Sequence, residues 1–334
     1  MAKITVLGAG GWGTALAVMA NRHGHEVTLW SPFQEEVDSI RRRGEHKKLL
    51  PGVAVSPNID LTCDIACAAE ADLVILAVPS FAVRQTAEKL RGVLPAGGLI
   101  VNVAKGIETG TYKLFHDVLS EVLPEARVAV LSGPSHAEDV ARGVPTSVVS
   151  AAADAATAEE VQEILMNPRF RIYVNTDVIG VELGGAMKNV IALSAGICDG
   201  LDIGDNAKAA LMTRGLSEMA RLGIAMGAKA ETFAGLAGMR DLIVTCGSMH
   251  SRNRRAGILI GQGTPPAEAI QAVGTVEGYL AAAAAHELAA RVGVELPIAE
   301  QCYRICYEGS DPKGALDALM TRPASHEGER DWTV

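Results

Sequence analysis

The sequence predicts an N-terminal, doubly wound, mostly parallel α/β domain followed by an all-α C-terminal domain. Three observations carry this. Short apolar runs alternate with helix-like segments through the first half. A glycine-rich loop, Gly8-Ala9-Gly10-Gly11-Trp12-Gly13, joins the first such run to the first helix. After about Asn175 strand signals fade and helical periodicity takes over, rich in glycine and alanine. The 334 residues suffice for two domains of ordinary size. The expected boundaries are 1–175 and 176–322, with a polar tail over 323–334 that is frayed or laid over the surface.

The elements follow in order. Ile4–Leu7 reads as a short strand, Thr14–His23 as a helix, Glu26–Trp30 as a second strand and Gln34–Arg43 as a second helix. Asp72–Val78 is a continuous apolar run, as a strand buried on both faces requires. Phe81–Leu94 reads as the helix after it. Leu99–Val103, Val128–Leu131, Ser147–Ser150 and Arg171–Val174 are further strands, with helices over Tyr112–Val122 and Thr157–Met166 between them.

Composition narrows the function. With 49% hydrophobic and 21% charged residues the chain is globular, not disordered. Only 4% is aromatic, so the core must be aliphatic and alanine-rich. A net charge of −9 argues against a broad nucleic-acid surface and suits a soluble cytoplasmic protein. The N-terminus runs from one lysine straight into a strand, without the apolar region of a secretory signal. The longest apolar stretch, Val178–Cys198, is interrupted by Glu182, Lys188 and Asn189, so no membrane span is expected. Six cysteines lack zinc-ligand spacing, and no metal site is expected. Cys63 with Cys67 and Cys302 with Cys306 read as small buried side chains on helices, in a reducing compartment.

The glycine loop has the GxGxxG pattern of Rossmann-type dinucleotide sites. Gly8 allows the tight turn, Gly10 lets the backbone approach a pyrophosphate, and Gly13 lets helix and strand pack closely. The helix N-terminus offers free N–H groups to the anion. An NAD site usually adds an acid at the end of the second strand for the ribose 2′-hydroxyl. Here that strand ends Trp30-Ser31-Pro32-Phe33-Gln34, with no acid until Glu35. This favours NADP(H), with NAD(H) possible. The basic run Arg41-Arg42-Arg43, His46, Lys47, Lys48 is either a 2′-phosphate site or a solvated helix end.

Four segments break the apolar pattern. Lys105 follows a buried strand, where ligands of open α/β sheets bind. Ser132-Gly133-Pro134-Ser135-His136-Ala137 ends another strand; Ser135 is expected to cap the next helix, and His136 is a weak proton-donor candidate. Lys188 sits inside the apolar helix 181–193, where an ammonium must be paired, lose its proton near neutrality or reach water along its stem. A lysine with a lowered pKa is a ready acid or base. Asp241 could pair with it. Thr245, Arg252 and Asn253 are the residue types that hold a phosphate, although 252–255 also reads as a solvated basic turn.

These motifs together, GAGGWGTALA, VAKGIE, LSGPSHAEDVARGVPT, ELGGAMKNVIALSAGI, GMRDLIVTC with SRNRR, and TVEGY, resemble the soluble bacterial NAD(P)-dependent glycerol-3-phosphate dehydrogenases. The resemblance runs in order from Ile4 to about Asp317. It implies a Rossmann domain followed by a helical substrate domain. It also implies interconversion of dihydroxyacetone phosphate and sn-glycerol 3-phosphate, for glycerophospholipid synthesis, by a homodimer with helical-domain contacts. On the matching positions Lys188 is the catalytic lysine. Lys105, Gly133, Ser135, Asp241, Ser251, Arg252 and Asn253 fall on substrate positions. Gly11, Trp12, Lys105, Ala137, Arg252, Val276 and Glu277 fall on cofactor positions. The chain departs from the family after the second strand, where members often carry a basic residue and this one has Ser31-Pro32-Phe33. His136 stands where an aromatic is common.

The expected partner is a small phosphorylated substrate. A β-hydroxyacid dehydrogenase would share the architecture and the helix lysine but need a carboxylate site. A dinucleotide-sensing regulator without chemistry would be expected to lack Lys188 or Asp241.

Overall fold

The computed structural model describes residues 1–323. Beyond Pro323 the expected tail lies outside the described residues. The chain divides into two compact units: one takes Met1–Ala104 and Phe115–Val178, the other Lys105–Leu114 and the chain from Ile179 onward. The short segment 105–114, read from sequence as part of the α/β half, thus belongs with the helical unit.

The first unit is built on strands β1 (Lys3–Leu7), β2 (Glu26–Trp30), β3 (Glu45–His46), β4 (Leu50–Ala54), β5 (Ile59–Thr62), β6 (Leu73–Leu76), β7 (Leu99–Asn102), β8 (Arg127–Ser132), β9 (Thr146–Ala152) and β10 (Phe170–Asn175). Eight form one sheet in the order β10-β9-β8-β7-β6-β1-β2-β5. The chain moves outward from β1 through β2 and β5 on one side, and through β6, β7 and β8 on the other. The order therefore reverses between β1 and β6, where doubly wound sheets bind ligands. Leu7 at the end of β1 registers with Trp30 and with Leu76. Neighbours are parallel except β8 and β9. All four residues of β6 are buried, as its unbroken apolar run requires.

Three local expectations are corrected. β5 and the hairpin β3–β4 carry weak strand signals and were not anticipated: β5 is only Ile-Asp-Leu-Thr, and β4 contains Pro51 and Gly52. The helix expected over Phe81–Leu94 is Val83–Lys89, preceded by a 3₁₀ turn at Ser80–Ala82. The turn after it uses Gly92 at φ +73°, which ends right-handed winding. The helix expected from Tyr112 starts at Phe115, because Tyr112 itself has φ +60°.

The second unit is helical. Its central helix, Val178–Gly200, is long and apolar enough to cross a membrane, yet 94% of its most apolar window is buried. It is the axis of an aliphatic core whose one fully buried aromatic among the described residues is Phe233. Glycine sets its closest contact: a Cβ on Gly257, in the helix Arg252–Gly261, would stand 2.1 Å from the Leu193 carbonyl oxygen. Backbone meets backbone there, which explains the glycine and alanine content of this half. Proline opens three further helices, Pro266–Val273, Pro297–Tyr307 and Pro312–Met320.

The helix Pro297–Tyr307 has an unusual N-terminal partner. Glu218, buried in the helix Asp205–Ala225, accepts from the Ile298 amide (2.7 Å) and the Ala299 amide (3.1 Å). Burial pushes its carboxyl up to about 7, against the opposing pull of those two amides. Glu218→Ala should cost about 1–3 kcal/mol for each amide left unsatisfied, read as a lower urea midpoint. The folded value stands above the ordinary 4.5. The protonated form's contribution is therefore whole below about 4.5 and lost as pH rises through about 7. The variant should lose that part of the decline.

The cysteines are less uniform than expected. Cys198, Cys246 and Cys302 are buried, whereas Cys63, Cys67 and Cys306 are only half-buried. Cys63 lies in a bend and Cys67 in a 3₁₀ turn, not on an α-helix.

Candidate active site

In the first unit the glycine loop lies at the reversal point of the sheet. Gly8 has φ +118°, and a Cβ there would stand 2.7 Å from the Ala77 carbonyl oxygen just past β6. A Cβ on Gly13 would strike the Gly8 carbonyl at 1.9 Å. A Cβ on Gly10 would meet nothing within 4 Å, so open ground lies over that backbone. Gly10 is the N-cap of the helix Gly11–Arg22 and offers no side-chain cap. The first helical hydrogen bond runs from the Thr14 amide to the Gly10 carbonyl (2.9 Å), so the amides of 11–13 precede it. Two tight contacts, one open position and uncapped amides fit a pyrophosphate.

Trp12 and Ala137 are half-buried against the same apolar cluster of this unit. Gly133 has φ +125° and its carbonyl accepts from the Ser135 hydroxyl (2.9 Å). Ser135 is not the helix cap expected of it: the N-cap of Ala137–Arg142 is His136, whose side chain makes no cap bond. Arg41 is tied to Asp38 (3.2 Å) and to the Leu61 carbonyl (2.8 Å).

The second unit gathers a charged cluster. Lys188, three turns into the central helix, is 6% exposed, and Asp241 is 1% exposed. Asp241 lies at the start of the helix Asp241–Gly247, just after a π-turn at Leu236–Arg240. Gly184 permits this approach, because a Cβ there would stand 2.5 Å from the Ala237 carbonyl oxygen. Lys188 Nζ donates to Asp241 Oδ1 (2.5 Å) and to Thr245 Oγ1 (2.9 Å). Lys105 Nζ donates to the other carboxylate oxygen, Oδ2 (2.9 Å).

Two ammonium groups thus share one carboxylate. Burial pulls the Lys188 pKa down to about 8: Asp241 works to raise it, and Lys105 adds to the fall. Burial alone would raise the Asp241 carboxyl, but the two lysines overcome it and hold the group below its ordinary range. With both lysines charged the cluster carries one net positive charge in a water-poor site. Such a site attracts an oxyanion.

Thr245 braces this cluster, and Asn253 braces the helix that carries Lys188. The Thr245 hydroxyl gives its one proton to the Asp241 carbonyl (2.6 Å), so the donor expected for a phosphate is already engaged. Asn253 donates to Asn189 Oδ1 (2.9 Å) and accepts from the Gly278 amide (2.8 Å). It thereby ties the central helix to the start of Glu277–Val292, whose N-cap is Val276. Ser251 caps Arg252–Gly261 by accepting from the Arg254 amide (3.2 Å). Arg252 is the exposed first residue of that helix. Arg254 pairs instead with Asp199 (2.6 Å), which also holds Lys208.

Sequence reasoning missed Asn189, which donates to the Gly185 (3.2 Å) and Lys105 (3.4 Å) carbonyls. Its signal was available: a second polar residue beside the lysine in an apolar helix.

Comparison with known proteins bears on both units. Residues 3–158 match the family described as NAD-dependent glycerol-3-phosphate dehydrogenase N-terminus, and residues 177–317 match its C-terminus counterpart. Among curated relatives, a glycerol-3-phosphate dehydrogenase [NAD(P)+] of Moorella thermoacetica is 54% identical over 99% of both chains. One from Desulfitobacterium hafniense is 51% identical over 98% of this chain and 94% of its own. The crystal structure of glycerol-3-phosphate dehydrogenase from Coxiella burnetii matches with a TM-score of 0.92 at 39% identity, covering 96% of this chain and 99% of that one.

Proposed function

The chain belongs to the NAD(P)-dependent glycerol-3-phosphate dehydrogenases, and from that premise we propose how its own residues carry the reaction. The enzyme interconverts dihydroxyacetone phosphate and glycerol 3-phosphate with NAD(P)H. The observation that carries the assignment of roles is the pair of lysines on the single buried carboxylate of Asp241.

When bound, the nicotinamide supplies the hydride that reaches the carbonyl carbon. Lys188 supplies the proton. Two of its three N–H groups are directed at Asp241 Oδ1 and Thr245 Oγ1, which leaves the third for the carbonyl oxygen of the substrate. As charge develops on that oxygen, the third proton passes to it and Nζ becomes a neutral amine. The two remaining N–H bonds keep the amine aimed. In the oxidative direction neutral Nζ takes the hydroxyl proton. Lys105, on the other oxygen of Asp241, adds positive potential beside the substrate oxygen. Asp241 and Thr245 hold Lys188 in position, and Asn253 with Asn189 fixes the helices around it. The glycine loop and the amides of 11–13 hold the pyrophosphate, with Ala137 beside the cofactor.

Arg252, Ser251 and the start of the helix Arg252–Gly261 take the phosphate of the substrate. Its remote binding energy fixes the reacting carbon. Arg252→Ala should raise KM for dihydroxyacetone phosphate about tenfold to hundredfold, the loss of one charge-assisted contact of about 1.5–3 kcal/mol. Initial rates against substrate concentration check this, and an unchanged KM removes Arg252 from the phosphate site.

The reading extends to a cytoplasmic homodimer whose product supplies glycerophospholipid synthesis. Its support is the whole-chain resemblance, and sedimentation of the purified protein tests the dimer.

A further inference from the structure

The end of β2 holds a network that the reaction does not use. The Gly8 amide donates to the Trp30 carbonyl (2.9 Å), which ties the glycine loop to this strand end. The next residue, Ser31, is fully buried, and its hydroxyl donates to Glu36 Oε2 (2.5 Å). Glu36 lies in the helix Gln34–Arg43, and its other oxygen, Oε1, faces His46 Nε2 (3.1 Å). His46 Nδ1 accepts from the Leu49 amide (3.3 Å), which places the ring proton on Nε2 and makes that nitrogen the donor to Glu36. The Leu49 carbonyl in turn lies 2.7 Å from where a Cβ on Gly11 would stand. One continuous frame therefore runs from the glycine loop, through the β3–β4 hairpin, to a carboxylate at the end of β2.

That carboxylate is held but not used up. Ser31 and His46 take one lone pair on each oxygen, and a carboxylate has about four acceptor sites. Its side chain keeps a quarter of its surface exposed. Burial would push the Glu36 carboxyl up, but the hydrogen bonds from His46 and Ser31, with the charge of Lys48, bring it below its ordinary value. The carboxylate thus sits against Ser31, the residue after β2, and the end of that strand is where Rossmann sites meet the adenosine ribose.

We propose that Glu36 is a specificity-determining residue of the cofactor site: its pinned carboxylate accepts from the ribose 2′-hydroxyl and repels a 2′-phosphate, so this chain binds NADH in preference to NADPH. The inference rests on the dinucleotide reading above and reverses the preference suggested by the lack of an acid at the end of the second strand. The acid is absent from the strand end in sequence because it arrives from the following helix. Within the basic run Arg41 is engaged with Asp38 and Leu61, His46 is committed to Glu36, and the charge of Lys48 acts on the Glu36 carboxylate itself.

The test is calorimetric titration of the purified enzyme with ADP-ribose, 2′-phospho-ADP-ribose and 2′-deoxy-ADP-ribose, which needs no turnover. The wild type should bind ADP-ribose at least about tenfold more tightly than the 2′-phospho form, since like-charge juxtaposition costs several kcal/mol. The 2′-deoxy form should also bind more weakly than ADP-ribose. Glu36→Gln should narrow the phospho discrimination about tenfold or more, and Ser31→Ala, which keeps the charge, should preserve its direction. Equal or tighter binding of the 2′-phospho form by the wild type overturns the inference and leaves the dinucleotide reading intact. Failure of all three ligands to bind overturns both.

Discussion

Replacing Lys188 with alanine is expected to lower kcat for dihydroxyacetone phosphate reduction by about 10²–10⁴-fold or more, the range of a lost general acid. The affinity for NADH should stay nearly unchanged, because Lys188 belongs to the charged cluster and not to the glycine loop. The reasoning is local. Nζ has a lowered pKa and an N–H group left over after its two side-chain partners are served. Lys105, already bonded to the other oxygen of the same carboxylate, is proposed to supply charge and not the proton. Single-turnover kinetics together with dinucleotide titration separate the two readouts. Turnover at a tenth of wild type would show that the proton comes from elsewhere.

Asp241→Asn should be the next most damaging change. It removes the one negative charge between two ammonium groups and leaves both without their counter-ion. Breaking a buried pair from one side costs about 3–5 kcal/mol, which urea denaturation would register. The chemistry should change in a distinctive way. Without Asp241, burial and Lys105 both act to lower the Lys188 pKa, unopposed. The pH limb of the reduction therefore moves to lower pH. Activity at pH 7.5 should fall by about tenfold or more and recover in part at lower pH. A merely destabilised enzyme would lose activity without that displacement.

Much of this site was legible in the sequence, for reasons that differ by residue. The glycine loop is readable because Gly8 and Gly13 satisfy constraints that no other residue meets, within one strand and one helix. Lys188 is readable because an ammonium in an apolar helix demands an explanation from its neighbours alone. Asp241 was a candidate partner by residue type, but only the π-turn and the approach at Gly184 bring it there. Other features depend on tertiary contacts that no local pattern encodes. Thr245 looks like a phosphate ligand until its proton is found on the Asp241 carbonyl. Ser135 looks like a cap until His136 takes that position. Segment 105–114 continues an α/β pattern along the chain yet joins the helical unit, carrying Lys105 to Asp241. β5 was missed because four residues with an aspartate among them gain their strand character from pairing with β2.

The most direct test of the central claim is the pH dependence of kcat measured in both directions on the wild-type enzyme. If Lys188 moves the proton, reduction of dihydroxyacetone phosphate should fall as pH rises through about 8, and oxidation of glycerol 3-phosphate should rise through the same region. Two profiles that rise or fall together, or that stay flat between pH 6 and 10, would contradict the assignment of Lys188 as the acid and base.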